Sequence, residues 1–129
     1  MKQAPTNTHI VLVTVPDRTT ANRLAHACLN RHVVACANII PGVESVYWWQ
    51  GKIESDQELL LILKTTSKNL TPLQELILSE HPYDVPEFVS LPIERGSPDY
   101  LAWLHKECTI PENSKPPTTS QPDSKESLH

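Results

Sequence analysis

The sequence predicts an α+β fold in the order β-α-β-β-α-β with one further helix at the end. Three observations predict it. His9 to Val15 (HIVLVTV) and Leu59 to Leu63 are apolar runs of the kind found in buried strands. Ala21, Leu24, Ala25, Cys28 and Leu29 recur at the i, i+3, i+4, i+7, i+8 spacing of a helix buried along one stripe. Between them, Val34 to Thr66 reads as two long strands folded on Gln50-Gly51.

Taken in order, Met1 to Thr8 is polar and expected to be loose, and residues 9–109 form the single domain. The β-branched run of the first strand ends at Pro16, and Asp17 is a good N-cap for the helix that follows. Arg18, Asn22, His26 and Asn30 fall on that helix's polar side, and His32 closes its end. The long hairpin is interrupted at Pro41-Gly42, where loss of a ladder donor beside a glycine predicts a bulge or bend. A two-residue loop at its far end sets Trp49 opposite Lys52, Trp48 opposite Ile53 and Tyr47 opposite Glu54.

The second helix is capped by Ser67, or by Thr71 with Pro72 and Gln74 in a capping box, and carries Leu70, Leu73, Leu76 and Ile77 on its apolar face. His81-Pro82-Tyr83 breaks it. Phe88 to Leu91 is a short strand marked by Pro92 as an edge, and Ser97-Pro98 opens a last helix with Tyr100, Leu101, Leu104 and Cys108 on one stripe. Residues 110–129 are rich in Pro, Ser, Thr and Lys; they bury too little to offset ordering and are expected to be disordered. The whole order is the ferredoxin-like, split βαβ arrangement.

The 129 residues suffice for one core. A net charge of −4 argues against nucleic acid and anionic membranes as partners, since both require a basic face. Three cysteines without a CxxC spacing suggest reduced thiols. The N-terminus has no apolar signal region and no run is long enough to span a bilayer, so the chain is expected in the cytoplasm.

Strands of about fifteen residues are roughly 50 Å long at about 3.3 Å per residue, more than one small domain needs. Either the hairpin is a solvated arm with Tyr47, Trp48 and Trp49 in water, or it packs on another copy of the chain. The second reading removes the exposed rings and the unpaired edges.

Candidate chemistry is sparse. Cys28 and His32 stand at i, i+4 on one helix, a spacing for two metal ligands, but Cys28 also belongs to the apolar stripe. Glu80 and His81 end a helix before a turn and are the better metal candidates; the alternative is a solvated Glu80 with His81 on the carbonyls of its own helix end. There is no GxSxG, no activated-thiol signature and no phosphate loop, and the central strands lack the aromatic platform of an RNA-recognition module. One polar set remains: Lys52, Glu54, Glu58 and Lys64 with Trp49 on the hairpin, then Tyr83 and Glu87. These are ordinary cross-strand and turn residues if the arm is solvated. If the arm is an inter-subunit element, Trp49, Lys52, Glu58, Lys64 and Tyr83 line a cleft for a small polar ligand.

The blocks ACANIIPGVESVYWWQGKIESDQE, LILKTT and HPYDVPEFVSLPIERGSPDYLAWL resemble, in that order, the signature of the CutA family of divalent-cation tolerance proteins, from about Ile10 to Leu104. The resemblance implies a ferredoxin-like subunit, a homotrimer built by the long hairpins, and architectural kinship with the PII signalling proteins. It also implies a role in tolerance of copper and other divalent metals without an established reaction. Ligands proposed in the family are a cysteine of the first strand and two histidines before Pro-Tyr. Here Val13 and Glu80 stand at two of those places and His81 keeps the third, so the resemblance implies weak copper binding, mainly through His81. The expected function is thus a non-enzymatic, trimeric metal-tolerance protein; the alternative is a PII-like sensor of a small polar ligand in inter-subunit clefts.

Overall fold

A computed structural model describes residues 4–109, and the chain follows the predicted order. Strand β1 (Thr8–Val15) leads to helix α1 (Arg18–Asn30), then to strands β2 (Cys36–Trp49) and β3 (Lys52–Thr66). A 3-10 turn (Ser67–Asn69) enters α2 (Leu70–Glu80), followed by β4 (Val89–Pro92) and α3 (Pro98–Glu107). The sheet order is β2-β3-β1-β4 with every neighbouring pair antiparallel, which is the ferredoxin-like topology.

Local chemistry explains the elements. The Thr20 N–H donates to Asp17 Oδ1 at 2.7 Å, capping α1, and this bond holds the Asp17 carboxyl below its ordinary range. Ala21, Leu24, Ala25 and Cys28 are buried as the spacing predicts, but Leu29 lies at the margin of the stripe in the last turn and is 37 % exposed. The expected bulge is present: the register shifts between Ile40 and Val43, with Gly42 at φ 78°. At the arm's tip Gln50 (φ 49°) and Gly51 (φ 80°) are both left-handed, the requirement of a type I′ hairpin turn. Trp49 then pairs with Lys52, Trp48 with Ile53 and Tyr47 with Glu54, the predicted register.

Three expectations are corrected. The Thr71-Pro72-Gln74 capping box does not form, because Thr71 and Pro72 lie inside the first turn of α2, where proline has no intrahelical N–H partner to lose. β4 is displaced by one residue from the expected strand and includes Pro92, which an edge strand tolerates. The stripe of α3 is narrower than expected, with Leu104 and Cys108 buried and Tyr100 exposed. Within the segment expected to be loose, Thr8 already belongs to β1 and Asn7 O accepts the Ser67 N–H at 2.8 Å. The expected tail, 110–129, lies outside the described residues.

The core sits on one face of the sheet. Val11, Val13 and Val15 of β1 oppose Leu63, Leu61 and Leu59 of β3, and this face packs against the apolar stripes of α1 and α2. Alternation of the pleat puts Ile10, Leu12, Leu60 and Ile62 on the other face. Beside them on that face, Ile40, Val89 and Leu91 are 40–48 % exposed. Among the described residues no helix is long and apolar enough to cross a membrane.

Candidate functional site

The site is built where the arm leaves the core. Glu58 of β3 is buried at that point, and the loop after α2 lays Tyr83 against it: the phenol donates to Glu58 Oε2 at 2.7 Å. His81 stacks obliquely on the Tyr83 ring, centroid to centroid 4.5 Å. Its Nε2–H donates to Thr14 O at 2.8 Å, and its Nδ1 accepts the Tyr83 N–H at 3.1 Å, so both partners fix the tautomer. Farther along the same face of the arm, the Tyr47 hydroxyl donates to Asp56 Oδ2. Burial, then the hydrogen-bonded carboxylate of Glu58 or Asp56, pushes the Tyr83 and Tyr47 phenols above the ordinary tyrosine value.

The predicted ligand-binding residues separate into three places. Trp49 and Lys52 face each other at the tip of the arm, Glu58 and Tyr83 meet at its base, and Lys64 lies at the far end of β3. Roughly 20 Å of strand separates Lys64 from Glu58 at about 3.3 Å per residue. The Lys64 ammonium instead stands 5.6 Å from the centre of the Tyr100 ring, a cation–π contact with α3. The structure adds Tyr47, Asp56 and His81 to the Glu58–Tyr83 pair. The first two were detectable from the register, because Asp56 is the diagonal neighbour of Tyr47 once Tyr47 opposes Glu54.

The geometry of Glu80 and His81 does not fit a divalent cation. His81 is fully buried with both ring nitrogens in hydrogen bonds. The Glu80 carboxylate is 3.3 Å from the Arg23 guanidinium, which also donates to Glu80 O at 3.0 Å. No group of three or more His, Cys, Asp or Glu side chains able to hold a metal ion occurs among the described residues. The Cys28–His32 pair is likewise not assembled: His32 Nδ1–H donates to Glu107 O at 3.0 Å, and burial pushes the Cys28 thiol up to about 12. What the arm base provides is a buried phenol–carboxylate pair, Tyr83 and Glu58, with a second, half-buried pair, Tyr47 and Asp56, farther along the arm.

Residues 9–107 match the model of the CutA1 divalent ion tolerance protein family. The chain belongs to that family. It is 50 % identical over 95 residues to the chloroplastic CutA protein of Arabidopsis thaliana, covering 74 % of this chain and 52 % of that protein. It is 46 % identical over 97 residues to the divalent-cation tolerance protein CutA of Thermus thermophilus, covering 75 % and 94 %. The chain therefore spans about half the length of the plant relatives it matches and nearly all of the bacterial one. The CutA1 crystal structure from Oryza sativa superposes with a TM-score of 0.77 at 42 % identity, covering 88 % of this chain and all of that one. The structure of the T. thermophilus protein gives a TM-score of 0.76 at 45 % identity, covering 78 % and 97 %. The CutA1 family description names ion tolerance and no reaction.

Proposed function

We propose that this chain is a homotrimeric, non-enzymatic protein of divalent-cation tolerance that acts through binding or assembly. The observation that carries the reading is the second face of the sheet. The Leu59 to Leu63 run is apolar toward both faces, yet α1 and α2 cover only one. The other presents Leu12, Leu60 and Ile62 beside exposed Ile40, Val89 and Leu91, and an antiparallel sheet with a solvated face carries polar residues there. Copies closed around an axis cover such a face without open-ended growth, and the arm, too long for one subunit, reaches the neighbour. Copper or another divalent cation enters this reading as cargo or signal. His81 and Glu80 offer it no ready site, so among the described residues a binding role draws on donors from more than one copy. The three free thiols, Cys28, Cys36 and Cys108, favour a reducing compartment such as the cytoplasm.

A second reading, a PII-like sensor of a small polar ligand, draws on the buried Glu58 and Tyr83 and on Trp49 and Lys52 at the tip of the same arm. In a closed trimer the arm tip of one copy and the arm base of another line a shared cleft. Light scattering tests the common premise: a mass three times the 14.5 kDa of the chain supports it, and a stable monomer at micromolar concentration overturns it. Calorimetric titration with copper, beside a thermal-shift screen of polar metabolites, then separates the two readings.

A further inference from the structure

A groove of about 1180 Å³ opens at the end of the sheet away from the arm. Its walls come from residues 4–9, the first residue of the 3-10 turn, and residues 92–95. The volume is on the scale of small-molecule sites, which run to about 1,000 Å³. His9 and Ser67 meet in it, His9 Nε2 to Ser67 Oγ at 3.1 Å. The other ring nitrogen of His9, Nδ1, is buried and has no hydrogen-bond partner, the one such side-chain nitrogen or oxygen among the described residues. Buried polar atoms are satisfied as a rule, so this orphan marks His9 as a ring whose hydrogen bonding is incomplete within the described residues. Whichever tautomer His9 adopts, the Ser67 hydroxyl satisfies only one of its two nitrogens.

The lining also carries Arg95, exposed and in no ion pair among the described residues. The walls are firm. Thr6 donates through its hydroxyl to Ile93 O, Ile93 N–H donates to Thr8 O at 2.9 Å, and His105 Nε2–H donates to Thr6 O at 2.9 Å. A guanidinium, an imidazole and a hydroxyl on a pre-formed wall are the donor set that recognises an oxyanion. Glu94 is the one carboxylate in the lining, and it opposes such a ligand.

We propose that this groove binds a small oxyanion, a phosphate or a carboxylate, through Arg95, His9 and Ser67. The site lies apart from the arm base and does not depend on the function proposed above. The sign of each charge makes it testable with exposed side chains whose replacement leaves the core intact. Inorganic phosphate, and separately succinate, is titrated into the full-length chain while the imidazole nitrogens of 15N-labelled histidine are followed by NMR. A saturable shift of the His9 nitrogens is expected, weakened at least fivefold in Arg95→Gln and strengthened in Glu94→Gln. Saturation by phosphate alone assigns a phosphate site, and saturation by succinate alone a carboxylate site. Absence of saturation with both probes overturns the proposal, as does binding equally strong in wild type and Arg95→Gln. A His9→Gln variant that keeps its circular dichroism spectrum and still gives wild-type affinity, read from the Arg95 side-chain resonance, overturns the role of His9.

Discussion

The phenol of Tyr83 and the carboxylate of Glu58, both buried, meet at 2.7 Å and tie the loop after α2 to the base of the arm. A buried carboxylate demands donors, and a buried phenol demands an acceptor, so each supplies what burial took from the other. Removing the hydroxyl leaves the carboxylate short of a donor. Tyr83→Phe should lower the free energy of unfolding by about 1–3 kcal/mol, read from urea denaturation at pH 7. Glu58→Gln, which keeps an acceptor for the phenol, should cost less. An unchanged midpoint in Tyr83→Phe would show that the bond adds nothing to stability.

The same pair, with Tyr47 and Asp56, predicts sensitivity to alkali. Both phenols hold their protons more tightly in the folded chain than in the unfolded one, where tyrosine ionises near about 10. Their contribution is therefore complete below about pH 10 and is lost as pH rises above it, because the unfolded chain then binds fewer protons than the folded one. Urea midpoints measured between pH 8 and 11 should fall more steeply for wild type than for the Tyr47→Phe, Tyr83→Phe double variant, which shares every titrating lysine. Parallel curves would refute the assignment.

The arm's turn gives a purely conformational test. Gly51 sits at φ 80°, and a Cβ built there meets nothing within 4 Å. Gly51→Ala should destabilise the hairpin by about 1–2 kcal/mol through the left-handed backbone alone. Faster amide exchange at the arm's tip, with the β1–β3 amides unaffected, is the expected readout. Uniform exchange across the chain would mean that the tip and core open as one unit.

Much of this architecture was readable in the chain, and the reasons differ by element. The arm was legible because alternation has a period of two and a two-residue turn fixes the register, so one correct turn placed Tyr47, Trp48 and Trp49 together. His81 was not. Its position before Pro82 at the end of a helix suggested an accessible ligand, but its ring is held by Thr14 O, a carbonyl on a strand far away in sequence. Side-chain bonds to a distant backbone leave no local pattern. Lys64 and Glu58 stood on one predicted strand and one face, yet strand length separates them, and grouping by character alone missed that. The start of α2 was ambiguous for a local reason: Ser67 and Thr71 are both credible capping residues, and a 3-10 turn that begins at Ser67 enters the helix ahead of Thr71-Pro72.

The buried ring makes His81 a structural residue with a clear signature. His81→Ala opens a cavity and leaves the Tyr83 N–H and Thr14 O without their partner, which should cost about 2–4 kcal/mol. Copper affinity, titrated at a temperature where the variant is still folded, should match wild type, because a cation reaching either nitrogen of this buried ring in the intact chain would first break the hydrogen bond that nitrogen makes. Loss of copper binding with little loss of stability would reverse this assignment and restore His81 as a ligand.

The last prediction concerns the apolar surface that a single chain leaves open. Val89 and Leu91 lie beside Leu12 and Ile10 on the face of the sheet opposite α1 and α2, while Val46, Trp48 and Ile53 are more than 60 % exposed on the arm. Burying a large apolar side chain contributes on the order of 1.5–3 kcal/mol, so covering several per copy makes assembly strongly favourable. Unfolding should then be coupled to dissociation, with a melting temperature that rises with protein concentration. Leu91→Glu on the face, and Trp48→Glu with Trp49→Glu on the arm, should each lower the mass seen by light scattering at micromolar concentration. Each should also lower the melting temperature, because a carboxylate in such an interface must be desolvated without a partner. If only the face variant dissociates, the arm is not part of the contact. If only the arm variant does, the sheet face is not what drives assembly. If neither changes the mass, another surface joins the copies, and the reading of the open sheet face fails with it.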